Sequence, residues 1–115
     1  MRKQSRFTSQ QRLRDKTEFD NVRSGGKKKH TPFFIAYIKH SSTCARLGVI
    51  VSKSTAKNAS ERNRIKRQVR ETFRTRVPEE TPIEVLIIAK RSSALTANSE
   101  LRQCLETLLH TVLDQ

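Results

Sequence analysis

The sequence predicts an α+β fold, an α/β sandwich in which a sheet is backed by helices on one face. Three observations predict it. Residues 60–76 and 98–113 carry apolar residues at helical spacing. Residues 31–39, 46–52 and 83–89 are short runs rich in β-branched and aromatic side chains. The resulting order is helix, two or three strands, helix, strand, helix, which is a mixed rather than a strictly alternating pattern. At 115 residues the chain is read as one domain spanning 1–115, long enough to bury a single modest core.

Residues 1–11 are basic and polar and are expected to be flexible. Arg12 to Val22 is a short helix with Leu13, Phe19 and Val22 as its apolar positions. Ser24, Gly25 and Gly26 end it, because glycine readily takes a left-handed cap. Lys27, Lys28 and Lys29 follow as a basic loop, serving either as a solubilising turn or as a phosphate contact. Thr31 to Lys39 (TPFFIAYIK) is a strand. Phe33, Ile35 and Tyr37 share one side of it, and Phe34, Ala36 and Ile38 the other. Either side can face the core, leaving the other as an aromatic platform. Arg46 to Ser52 (RLGVIVS) is almost wholly apolar in its middle and reads as a central strand. Lys53 to Ala59 is a basic connection. Ser60 to Arg76 is a helix capped by Asn58 or Ser60. Val77 to Pro82 ends it. Ile83 to Ala89 (IEVLIIA) is a buried strand, and Lys90 to Thr96 a loop. Asn98 to Leu113 is a scaffold helix with Leu101, Leu105, Leu108, Leu109 and Val112 on its apolar face.

Charge narrows the function. The formal net charge is +13 and the isoelectric point about 10.7, which points to a polyanionic partner. The charge is polarised: residues 1–76 hold 21 bases and 5 acids, whereas 77–115 hold 3 bases and 6 acids. The binding surface therefore belongs to the first two-thirds of the chain. Cys44 and Cys104 show no ligand spacing and read as reduced thiols of a cytoplasmic protein. His30, His40 and His110 are scattered, so no metal site is expected. The start of the chain lacks the apolar core of a signal peptide, and no run approaches the length needed to span a bilayer. No membrane partner is expected.

Ser60 to Arg76 (SERNRIKRQVRETFRTR) is the stretch around which the rest is organised. Ile65, Val69 and Phe73 form one apolar stripe. Asn63, Arg67, Arg70 and Arg74 fall roughly opposite, with Lys66 on the flank and Arg62 and Arg64 in the first turn. From Ser52 to Arg76 nine bases face two acids. A solvated helix face normally interleaves signs, so this one is built to meet an anion. Arginine forks pair with phosphate and stack on unpaired bases. Phe33, Phe34 and Tyr37 offer aromatic surface for single-stranded bases. No catalytic constellation appears: there is no P-loop, no GxGxxG, no nucleophile beside a histidine. Asp15, Glu18 and Asp20 form a small acidic cluster, read either as an exposed helix face or as metal ligands of a nuclease.

The run Ala45 to Lys53 (ARLGVIVSK), followed by Ala59 to Arg67 (ASERNRIKR) and Arg70 to Arg74 (RETFR), closely resembles the protein subunit of bacterial ribonuclease P. Arg62-Asn63-Arg64 with Ile65-Lys66-Arg67 looks like that family's RNR motif. The R-x-G-x-x-[VIA]-[SA]-K strand upstream makes the match specific. Arg12, Leu13 and Phe19 resemble the family's first helix, Phe34 and Tyr37 its first strand, and Ile83 to Ala89 its late strand.

The resemblance implies a fold of order αβββαβα with a left-handed βαβ crossover, ribosomal-protein-S5-like. It implies a protein that binds a catalytic RNA subunit and the 5′ leader of precursor tRNA, assisting Mg²⁺-dependent endonucleolytic removal of the leader. Mg²⁺ would be held mainly by the RNA. No catalytic side chain and no protein partner would be required. The RNA-binding residues would be Arg46, Lys53, Arg62, Asn63, Arg64, Lys66, Arg67, Arg70 and Arg74. The leader-binding cleft would be lined by Phe19, Arg23, Phe33 and Tyr37. Arg23 stands where many members have a second aromatic, Ser54 where a second lysine is frequent, and Ser60 where valine is frequent. The connection from Lys53 to Ala59 lacks the glycine that some members have.

Two other readings share the charge. A ribosomal or RNA-chaperone protein need not discriminate precursor tRNA from other RNA. A metal-dependent nuclease acting alone would use Asp15, Glu18 and Asp20 and need no RNA subunit.

Overall fold

Phe34, Ala36 and Ile38 leave their strand on one side and Ile35 and Tyr37 on the other, and the fold uses both sides. A computed structural model describes residues 12–13, 16–40 and 44–113. The expected flexibility of 1–11 lies outside the described residues, as do Asp15 and part of the turn after His40. In chain order the elements are α1 (Lys16–Gly25), β1 (Lys27–His30), β2 (Phe34–His40), β3 (Arg46–Ile50), α2 (Ala59–Arg76), β4 (Ile83–Ala89), α3 (Arg91–Ala94) and α4 (Asn98–Leu113).

The four strands form one sheet in the order β1-β2-β4-β3. β1 and β4 pair antiparallel with β2, and β3 pairs parallel with β4. α2 therefore lies in a crossover between neighbouring parallel strands. α2 and α4 pack side by side on one sheet face. Phe34, Ala36, Ile38, Val85 and Ile87 meet Ile65, Val69, Phe73, Leu101, Leu105 and Leu109 there, in the main core. Ile65, Val69 and Phe73 are fully buried, as the stripe requires. Each is worth about 1.5–3 kcal/mol of burial. Gln68 and Thr72 are also buried on the α4 side. Arg102 donates to Gln68 Oε1 at 2.9 Å, and Thr72 Oγ1 to the Gln68 carbonyl at 2.8 Å. α1 lies over the opposite face in a second, smaller cluster of Leu13, Val22 and Leu86, flanked by Phe19, Tyr37, Ile50 and Ile88.

Several sequence expectations are corrected. Lys27–His30 is a strand, not a loop: it pairs along β2 from Lys27↔Ile38 to His30↔Ile35. A short, lysine-bearing edge strand of this kind resists further strand addition. β3 is an edge strand, not a central one, and ends at Ile50. Leu47 is buried in the main core with Val49 half-buried beside it, and on the other face Leu13 and Phe19 cover Gly48 while Ile50 is half-buried. α1 begins at Lys16 and runs through Gly25, and no described glycine has positive φ. Gly26 is required by close approach instead. A Cβ there would lie 2.6 Å from the Val22 carbonyl oxygen and 2.8 Å from that of Ile38. Asn58 stands at the N-cap of α2 without a side-chain capping bond. The helix start is held by Arg62, whose Nη1 donates to the carbonyls of Ala56 at 2.9 Å and Lys57 at 2.7 Å. The segment 90–96 contains the single turn α3.

Candidate nucleic-acid interface

The outer side of α2 is built from residues that its own core stripe excludes. With Ile65, Val69 and Phe73 on the sheet, Lys66, Arg70, Asn63, Arg74 and Arg67 fall within about 100° of arc on the solvent side. Asn63 and Arg67 are exposed, and Lys66, Arg70 and Arg74 half-buried. Arg74 pairs with Glu71 at 2.7 Å. No hydrogen bond or ion pair to a described residue engages the side chains of Asn63, Lys66 or Arg67. Burial loosens the hold of Arg70 on its proton, and the nearby positive charge of Arg12 acts in the same direction. Both effects would be relieved by an anion. Lys53 is exposed in the turn before α2, where Ser52 Oγ lies 2.8 Å from Ser54 Oγ and 3.1 Å from Thr55 Oγ1.

The two arginines of the RNR stretch are also structural. Arg62 ties back the turn that leads into α2. Arg64 reaches the other way. Its Nη1 donates to Thr96 O at 3.2 Å and Asn98 Oδ1 at 2.6 Å, and its Nη2 to Ala94 O at 3.3 Å. Its Nε donates to Glu61 at 3.0 Å. It thereby fixes the α3–α4 connection against the start of α2. Both remain half-exposed beside Asn63.

A second feature lies on the other sheet face, under α1. Phe19 projects from α1 over Gly48 of β3. A Cβ at Gly48 would lie 2.6 Å from Phe19 Cε1 and 3.1 Å from Leu13 Cβ, so only glycine admits the ring in this place. Tyr37 of β2 is half-buried in the same cluster. The guanidinium of Arg23 and the ammonium of Lys28 each lie 5.8 Å from the Tyr37 ring centroid. That is within cation–π range. The α1 side of the sheet thus carries two half-buried aromatic rings, Phe19 and Tyr37, on either side of the buried Leu86, with two cations beside Tyr37. The sequence reading offered Lys28 with Lys27 and Lys29 as a solubilising turn or a phosphate contact, but did not place it beside Tyr37. It faces Tyr37 because those two residues are partners in the β1–β2 register. Three successive lysines were the signal, legible only once the hairpin is known.

Of the residues expected to line a leader-binding cleft, Phe19, Arg23 and Tyr37 share the α1 side of the sheet and Phe33 does not. Phe33 precedes β2 and packs toward the main core, on an open groove shared with Lys29, Cys104 and Leu108 of the α4 side. The turn that carries it is pinned by Lys90 Nζ to Thr31 O at 2.6 Å and Ser92 Oγ to Pro32 O at 2.7 Å. Arg46 stands apart from the α2 face. Its Nη2 donates to Glu18 Oε2 at 2.6 Å and to Arg12 O at 3.1 Å, and its Nη1 lies 3.6 Å from Glu84 Oε2. The bond from Glu18 raises the Arg46 pKa, with both carboxylate charges helping. Of the proposed nuclease ligands, Glu18 is thus engaged with an arginine. Among the described residues no three of His, Cys, Asp and Glu group as metal ligands. No helix of the described residues is long and apolar enough to cross a membrane.

An α+β sandwich with one cationic helix face, and with aromatic rings and cations on the opposite side of its sheet, has the surface chemistry of a nucleic-acid-binding protein. A family model described as Ribonuclease P matches residues 7–113. The chain is 34% identical over 102 residues to the ribonuclease P protein component of Coxiella burnetii, covering 84% of this chain and 81% of that one. It is 36% identical over 102 residues to that of Acinetobacter baylyi, covering 87% and 78%. Among solved structures it is similar to the Staphylococcus aureus RNase P protein. The TM-score is 0.81 at 25% identity, covering 89% of this chain and 94% of that one. The Thermotoga maritima RNase P protein gives a TM-score of 0.73 at 25% identity, covering 85% and 94%. The chain belongs to the ribonuclease P protein family. As such it is the protein component of a tRNA-processing endoribonuclease and pairs with an RNA subunit.

Proposed function

We propose that the outer face of α2 binds the catalytic RNA subunit and that the aromatic surface beside α1 holds the single-stranded 5′ leader of precursor tRNA. The observation that carries the reading is the division of cations. The side chains of Lys66 and Arg67, beside the neutral Asn63, lie on one outward arc with no side-chain bond to a described residue, while the aromatic surface with Arg23 and Lys28 lies across the sheet from them. One surface suits the phosphates of a folded RNA, the other unpaired bases.

In this reading Lys53, Arg62, Asn63, Arg64, Lys66, Arg67, Arg70 and Arg74 meet RNA phosphates, with Arg62 and Arg64 also holding the helix in place. Each phosphate contact releases counterions, so affinity falls by about 0.7–0.9 log units per log unit of salt for each contact. On the α1 side of the sheet, Phe19 and Tyr37 stack on leader bases with little sequence preference, and Arg23 and Lys28 hold the adjoining phosphates. Hydrolysis belongs to the RNA subunit in this reading, and Mg²⁺ held there would supply an activated water and charge stabilisation. The protein's part is to hold the two RNAs together and to offset their phosphate repulsion. The test is RNA-subunit affinity across a salt series for the wild type and Arg67→Ala. A smaller salt slope with unchanged folding supports the assignment. An unchanged slope places the RNA elsewhere.

A further inference from the structure

β3 holds α1 in three consecutive ways. At Arg46 the guanidinium bonds Glu18 in the first turn of α1 and the Arg12 carbonyl before it. At Leu47 the carbonyl accepts the Leu13 N–H at 2.9 Å. At Gly48 the missing side chain makes room for Phe19. α1 needs these ties, because Val22 is the only residue of the helix that is fully buried. A ten-residue helix with one buried side chain does not dock firmly by apolar burial alone.

The surroundings of Arg46 also disfavour a phosphate. Glu18 and Glu84 flank it, so one cation sits between two carboxylates. Its Nε is buried without a partner. An incoming phosphate would meet net negative charge and would have to displace a 2.6 Å ion pair.

The geometry points to Arg46 as a positioning residue that fixes the placement of α1 at the proposed leader-binding surface by latching α1 to β3 through Glu18, rather than as an RNA contact. The inference rests on the reading that the leader lies on that surface. Arg46 acts through the placement of Phe19 and Arg23, the α1 residues of that surface.

The test uses holoenzyme reconstituted from this protein and a bacterial ribonuclease P RNA. Affinity is measured for precursor tRNA with a 5′ leader and for mature tRNA, giving a leader discrimination ratio. The variants are Arg46→Gln, Glu18→Gln and Tyr37→Ala. A latch makes Arg46→Gln and Glu18→Gln change in the same direction, each lowering the ratio by about threefold to tenfold. RNA-subunit affinity stays unchanged. A direct contact makes them opposite, because Glu18→Gln frees the guanidinium and tightens RNA binding. Opposite signs, or no loss from either variant while Tyr37→Ala lowers the ratio, overturn the latch alone. A ratio near one for the wild type, or one indifferent to Tyr37→Ala, overturns the leader-surface reading beneath it. Amide exchange in α1 of the free protein supplies a readout that RNA contact would not move. Faster exchange at 16–25 in both glutamine variants, with unchanged melting temperature, supports the latch, and unchanged exchange contradicts it.

Discussion

Replacing Gly48 by alanine tests the placement of α1 with a single methyl group. The backbone at Gly48 does not have positive φ, so alanine is conformationally allowed there. By itself the change would stabilise the protein by about 0.4–1 kcal/mol through the unfolded chain. The structure predicts the opposite sign. The new Cβ would lie 2.6 Å from Phe19 Cε1, with Leu13 Cβ at 3.1 Å and Leu13 Cδ1 at 3.2 Å. Carbon atoms rest at about 3.5–4.0 Å, so the ring must retreat by about 1 Å. Overpacking of this kind costs about 1–3 kcal/mol. For a domain near this size that lowers the melting temperature by about 4 °C or more for each kcal/mol. The assay is thermal and urea denaturation of wild type, Gly48→Ala, Phe19→Ala and the double variant. The clash is relieved when Phe19 is already alanine, so the two changes couple by about 1–2 kcal/mol. Equal cost of Gly48→Ala with and without Phe19 would refute the packing of α1 on β3.

Other outcomes follow from the same geometry. Arg64→Ala removes bonds to Ala94, Thr96, Asn98 and Glu61 and should lower stability by about 1–2 kcal/mol as well as RNA affinity. Arg67→Ala should lower affinity with a melting temperature unchanged, so an equal loss of stability in both would contradict the division of roles. Tyr37→Ala should weaken binding of leader-bearing precursor by about 1–3 kcal/mol, read as the affinity difference from mature tRNA. Lys28→Ala should lower the same difference by a smaller amount, since one cation near the ring is worth about 0.5–1 kcal/mol at an exposed site. Phe73→Ala should cost about 3–5 kcal/mol in chemical denaturation, as a fully buried ring of the main core.

The elements legible in the sequence were those whose burial is periodic. The stripe of Ile65, Val69 and Phe73 and the leucine face of α4 stand in the structure as the spacing indicates. β1 was not legible, because Lys27 to His30 has no apolar alternation. It is a strand only through its pairing with β2. β3 read as central because an apolar run does not say what covers it. Here a helix lies on one side, and Leu13 and Phe19 on the other. The α2 face was legible as unbalanced charge. The fate of individual cations was not. Arg46 and Glu18 are 28 residues apart and meet only in the fold. Arg64 looks like its neighbour Arg67 in sequence, yet it is bonded across to α4's first residue. Phe33 and Tyr37 share a strand face by parity. Phe33 departs from it because it lies in the turn, outside β2.

The most direct measurement of the central claim is cleavage of a 5′-extended precursor tRNA at low Mg²⁺, where phosphate repulsion is least screened. Three mixtures are compared: this protein alone, a bacterial ribonuclease P RNA alone, and the two together. The account predicts leader removal only when both are present. Cleavage by the protein alone would contradict it, as would a mixture in which the protein binds RNA tightly and the leader stays on.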